Sequence, residues 1–272
     1  MITCNIVGGL GNQLFQIFTT IAYSIEHNHS CLFLNTFEVR GFTKRASYWH
    51  TFLKPLQVFT RNELPKTIVY KEPSYNYNHL PEPTGSVMLH GYFQSYKYFE
   101  KYMKTIKRVC KIEYQKAVVN TKINTDNTIS MHFRLGDYKL LPEHYEILDY
   151  EYYKNSLDHI QSKTDGKMKV LYFCEVRDLS DVLPIIARLE AEFKYKFEQI
   201  PEYEDWEQML IMSCCTHNII ANSTFSWWGA YLNTNPDKIV CYPDKWFGPK
   251  LTHDVSDLCP SDWNCIKTGL IV

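Results

Sequence analysis

From residue 128 to residue 243 the chain alternates short apolar runs with amphipathic stretches of about 10 to 15 residues, and few folds accept that pattern. TISMHFRL (128–135), KVLYFCEV (169–176), YKFEQI (195–200), HNIIAN (217–222) and KIVCYP (238–243) read as strands. Residues 150–163, 179–193, 205–213 and 225–233 read as the helices between them. Strands separated by helices join in parallel, and a parallel sheet is covered on both faces. The expectation is a doubly wound α/β unit. Ligands of such units bind beyond the carboxyl ends of the strands, so the residues just after each run are where chemistry should be sought.

The start of the chain repeats the theme. MITCNIV ends on Gly8-Gly9-Leu10-Gly11, and Leu14, Phe18, Ile21 and Ile25 then recur at helical spacing. CLFLN (31–35) reads as the next buried strand. Residues 36–110, rich in Tyr, Pro and Asn, resolve into little beyond a short strand near VMLH and an aromatic loop. At 272 residues the chain suits two α/β lobes of about 100 to 150 residues each. The polar NTKINTDNT (120–128) is the expected boundary, giving lobes 1–122 and 123–272, with the last segment, from Lys250 on, packing back on the first lobe.

Charge removes several functions. Lys and Arg total 29 against 30 acids, so no basic field attracts nucleic acid, and an anionic ligand must be met by locally placed cations. Nine cysteines form no CxxC pair and no disulfide-like framework, which points to a reducing compartment. No stretch is apolar enough to span a membrane, and no leader precedes the first strand, so the expected location is the cytoplasm. The 20 Tyr, 15 Phe and 6 Trp suit core packing first and sugar stacking second.

Three stretches carry chemistry. In MHFRLGDY (131–138) an arginine follows a buried strand directly; its guanidinium can fork two hydrogen bonds onto phosphate oxygens, or it can pair with Asp137 as an ion pair capping the strand. The stretch alone leaves both open. In NIIANSTFSWWGAYLN (218–233) a strand ends at Asn222-Ser223-Thr224 and a helix starts near Phe225. Hydroxyls there either cap the helix or join its amides in holding an anion. The glycine loop is not a dinucleotide fingerprint, because Leu14 stands where the third glycine belongs. A phosphate loop ending in Gly-Lys-Ser/Thr, an Asp-x-Asp pair and a metal-spaced His/Cys set are also missing from the sequence, so no divalent metal and no cofactor are expected.

Together GGLGNQLFQ, HFRLGDY and HNIIANSTFSWWGAYLN resemble, in order and spacing and over essentially the whole chain, the signatures of the α-1,2-fucosyltransferase family, glycosyltransferase family 11. The resemblance implies a GT-B enzyme of two Rossmann-like lobes facing a cleft, with the glycan acceptor on the first and GDP-fucose on the second. Carried over by position, Arg134 grips the diphosphate, His132 lies by the nucleotide, and Asn222, Ser223, Thr224 and Phe225 surround the phosphate oxygens. Asn12, in a loop with Gly9 and Gly11, would face the donor phosphate across the cleft. Where the family shows a Ser-Asp-Asp-like run this chain has YFCEVRD, which leaves open whether Asp178 or Glu175 reads the nucleobase. Asp137 is the nearest general-base candidate or else orients Arg134; Glu143, His144 and Asp149 follow on the next loop. Two alternatives stand beside fucosyl transfer: another deoxyhexose from a different nucleotide sugar, and a catalytically silent carbohydrate-binding protein.

Overall fold

The computed structural model describes residues 1–39, 44–164 and 166–269. The chain divides into two compact units, Met1–Gln115 with His253–Pro260, and Lys116–Thr252 with Ser261–Val272.

In the first unit, β1 (Ile2–Cys4) is followed by α1 (Leu10–Glu26). Next come β2 (Phe33–Leu34), β3 (Glu38–Val39), β4 (Arg45–Ala46), β5 (Thr60–Arg61), β6 (Ile68–Lys71) and β7 (Val87–His90). β1, β7 and β6 form a parallel sheet in that order, with Ile2 opposite Val87. On its other side β1 makes a parallel bridge from Ile2 to Cys31, so chain order reverses where β1 meets β7. CLFLN therefore contributes a two-residue strand, paired with β5, rather than a full one.

Leu14, Phe18 and Ile21 of α1 are buried as their spacing predicts, but Ile25 is 39% exposed, because the helix emerges to solvent in its last turn. Phe15, Ile17, Gln13 and Gln16 are buried as well, so α1 is covered on several faces. Each fully buried Leu, Ile or Phe contributes about 1.5–3 kcal/mol. Residues 253–260 are tied to this unit by Asn76 Nδ2 donating to Asp254 Oδ2 (2.7 Å) and Ser95 Oγ donating to the Asp257 carbonyl (2.7 Å).

The helices α2 (Met103–Val109) and α3 (Ile112–Asn120) follow. The division into units falls at 115/116, ahead of the polar 120–128 stretch, and the side chains explain it. Gln115 Nε2 donates to the carbonyls of Phe52 and Cys110, whereas the buried Lys116 Nζ donates to the Leu232 carbonyl at 2.8 Å.

The second unit contains β8 (Thr128–His132), α4 (Tyr150–Gln161), β9 (Lys169–Phe173), α5 (Leu179–Glu192) and β10 (Lys196–Gln199). It continues with α6 (Asp205–Cys214), β11 (His217–Ile219), α7 (Thr224–Tyr231), β12 (Val240–Pro243) and β13 (Asn264–Ile266). Its six strands are all parallel, in the order β10-β9-β8-β11-β12-β13. This is the doubly wound order, in which the first strand of the unit lies beside the fourth. Ile129, Met131, Val170, Leu157 and Ile186 fill the core around the sheet. Helix starts follow ordinary capping chemistry: Asp149 accepts from Tyr152 N, and Glu204 and Glu207 form a capping box. Trp227 and Trp228 are wholly buried, and all nine cysteines are free thiols.

Candidate active site

Between β8 and β11 the winding of the second unit changes direction, the switch point beyond which sheets of this kind bind ligands. His132 ends β8 and Arg134 lies two residues beyond it; Asn222, Ser223, Thr224 and Phe225 follow β11. The sheet therefore brings together two of the three chemical stretches at its switch point.

Arg134 is held from two sides: one nitrogen donates to Glu175 Oε1 at 2.8 Å, and the other forms an ion pair with Asp137. Its guanidinium also lies 5.0 Å from the Tyr138 ring centre. Burial works against the charged form, but the facing Tyr138, Asp137 and Glu175 outweigh it and raise the pKa, so the group stays a cation. The ion pair with Asp137 is thus real. It occupies one terminal nitrogen of the guanidinium, and Glu175 the other.

His132 is buried, and its Nδ1 shares a 2.9 Å hydrogen bond with Ser226 Oγ in the first turn of α7. Burial, with the nearby Arg134 cation, pushes its pKa down to about 3, so the ring is neutral. Its ring centre is 5.4 Å from that of Phe225. Ser223 caps α7, its Oγ accepting from Phe225 N at 3.3 Å, and Thr224 opens the helix. Asn222 ties two loops together, Nδ2 donating to the carbonyls of Glu146 and Trp246, both at 3.0 Å. Its buried Oδ1 has no partner among the described residues. Tyr138, which the sequence reading passed over, donates to the Asn222 carbonyl (3.0 Å) and stacks on Tyr145 at 4.1 Å, linking the two strand-end loops.

Asp178 is 4% exposed, its oxygens taken by Gly136 N (2.8 Å) and Lys139 Nζ (3.0 Å). Glu175 lies with Arg134 and Arg177. Of the other base candidates, Glu143 pairs with Lys250, Asp149 caps α4, and His144 presents its carbonyl to Gly248 N.

The first unit's loop uses different means. Gly8 takes a φ of +84°, and a Cβ there would lie 2.6 Å from Asn12 Nδ2, so Gly8 is the position that requires glycine. Gly9 is the extended N-cap of α1, and Gly11 lies buried in its first turn. Asn12 Oδ1 accepts from Gln94 Nε2 at 3.1 Å. Gln16 exchanges two hydrogen bonds with the Val7 backbone, and Gln13 Nε2 donates to the carbonyls of Gly8 and Ala46. Gln94 sits on a turn pinned by Glu72, whose carboxylate accepts from Tyr92 N and Phe93 N while Phe93 holds a φ of +52°. The sequence offered one clue to this scaffold: buried amides in an otherwise apolar helix.

Two α/β units, one of them a doubly wound parallel sheet with Arg134 just past its switch point, are the architecture of the GT-B type. The family model described as glycosyl transferase family 11 matches residues 1–267, and the chain belongs to that family. It is similar to an alpha-1,2-colitosyltransferase of Escherichia coli, 25% identical over 289 residues, covering 97% of this chain and 98% of the other. It is also similar to the O-antigen biosynthesis glycosyltransferase WbnK of Escherichia coli, 33% identical over 141 residues, 47% of this chain and 43% of that one. Among solved structures it is similar in fold to the fucosyltransferase NodZ from Bradyrhizobium, with a TM-score of 0.50 at 10% identity, over 84% of this chain and 91% of that one. No helix among the described residues is long and apolar enough to cross a membrane.

Proposed function

We propose that this glycosyltransferase moves L-fucose from GDP-β-L-fucose to the 2-hydroxyl of a galactoside, inverting the anomeric centre without a metal ion. The observation that carries the reading is the Arg134 guanidinium, two residues past β8 at the switch point and held there by Asp137 and Glu175. In the transfer the bond from C1 to the diphosphate oxygen breaks as the acceptor oxygen bonds to C1, through a transition state of oxocarbenium character. Negative charge grows on the departing diphosphate, and a cation already in place lowers the cost of forming it. Diphosphate entering the fork replaces a carboxylate there. Asp137, released from Arg134, is then the proposed acceptor of the proton from the sugar hydroxyl. His132 stays neutral and holds Ser226 in the first turn of α7.

A second reading, transfer of another deoxyhexose, is supported by the full-length similarity to an alpha-1,2-colitosyltransferase. Incubation with GDP-β-L-fucose and a panel of galactosides, followed by NMR of the product linkage, separates the two. An α-fucosyl residue on O2 of galactose is expected. Transfer only from a different nucleotide sugar would replace the first reading with the second.

A further inference from the structure

We infer that Asp178 is the positioning residue of the arginine fork rather than a reader of the nucleobase; this rests on the diphosphate role proposed for Arg134. The short helical turn 136–140 that follows Arg134 begins at Gly136, at a φ of +39°. The amides that open such a turn need outside acceptors. Asp178 supplies one, Oδ2 accepting from Gly136 N at 2.8 Å, while Oδ1 takes Lys139 Nζ from the other side of the same turn at 3.0 Å. One carboxylate thus grips the turn at two points. Asp181 holds the same ammonium at 2.6 Å.

A carboxylate this deeply buried is costly unless both oxygens are met, and here both are. Reading a guanine edge would require the base to reach these oxygens, and the side chain is closed in by Gly136 N on one side and Lys139 Nζ on the other, with only 4% of it exposed. The neighbouring contacts differ in kind. Glu175 holds Arg134 through the guanidinium itself, whereas Asp178 touches no part of the guanidinium and holds the backbone of the turn that follows it. A Cβ at Gly136 would meet only the flexible ends of Arg177 (3.0 Å) and Glu175 (3.1 Å), so it is the positive φ that favours glycine at this position.

The test is titration of GDP and of guanosine, the same base without phosphates, into the wild type, Asp178→Ala and Asp178→Asn. Asp178→Ala is expected to weaken GDP about tenfold or more, the scale of one displaced charge-assisted contact, with guanosine changed by less than about twofold. Asp178→Asn keeps an oxygen for Gly136 N and is expected to hold GDP close to the wild-type affinity. Equal losses for both ligands, or a collapse of guanosine binding in Asp178→Asn, would make Asp178 a base reader and overturn the inference, as would unchanged GDP binding in Asp178→Ala. Should Asp178→Ala fail to fold, the Asp178→Asn arm decides alone. Wild-type protein that binds GDP no more tightly than guanosine would instead remove the diphosphate role of Arg134, a separate failure.

Discussion

The two strand-end loops that matter most in this chain are built by opposite means. Gln13, Gln16 and Gln94 hold the glycine loop of the first unit with neutral amides, whereas Asp137, Glu175, Asp178 and Lys139 hold the arginine loop of the second with charge. The amides touch the backbone and Asn12 with uncharged groups, and the one carboxylate behind them, Glu72, pins the turn that carries Gln94. A charged scaffold keeps a cation in place by giving it temporary partners. The first suits a loop that must keep its shape, and the second suits one that must exchange its partners for a ligand.

The comparison breaks most easily at Arg134. Arg134→Lys keeps the charge and loses the fork, so kcat is expected to fall about 100-fold or more, the cost of one transition-state donor. Rates like the wild type would place the diphosphate elsewhere. On the neutral side, Gln16→Leu strips the Val7 amide and carbonyl of their partner and is expected to cost about 1–3 kcal/mol, read as a lowered midpoint in urea. That loss should be the same at low and high salt. A strongly salt-dependent loss would deny that the first loop is held by neutral groups.

A smaller effect concerns acid. The His132 pKa is about 3 in the folded chain against 6.5 for a free imidazole, so between those values the unfolded state holds a proton that the folded state does not. Stability is therefore expected to fall as pH drops below about 6.5, and less steeply in His132→Gln, by thermal melting across pH 5 to 8. The smallest expected effect is none: turnover in EDTA should match turnover without it, since Arg134 is proposed to supply the charge a metal would bring. Abolition by the chelator would refute that.

How far the sequence could be read differs between the units for a physical reason. β8, β9 and β11 are covered on both faces and read as continuous apolar runs. β6 was missed because Ile68 and Val69 are exposed, at the sheet edge farthest from β1, and β13 because it is three residues long with Cys265 exposed. Arg134, Ser223 and Thr224 could be singled out because each lies just after a recognisable strand, and His132 because it ends one, and the folded sheet sets both stretches at its switch point. The contacts from Asp178 to Gly136 and from Gln94 to Asn12 could not, since each joins residues far apart in the chain that only the folded sheet brings together. That Gly8 carries the positive φ was not readable either, since it depends on where α1 starts.

The central claim is that the switch point of the second unit holds the diphosphate of a guanosine-linked sugar. Isothermal titration of GDP, UDP and dTDP into the wild-type protein tests it most directly. GDP is expected to bind most tightly of the three. Tighter binding of UDP or dTDP would contradict the claim.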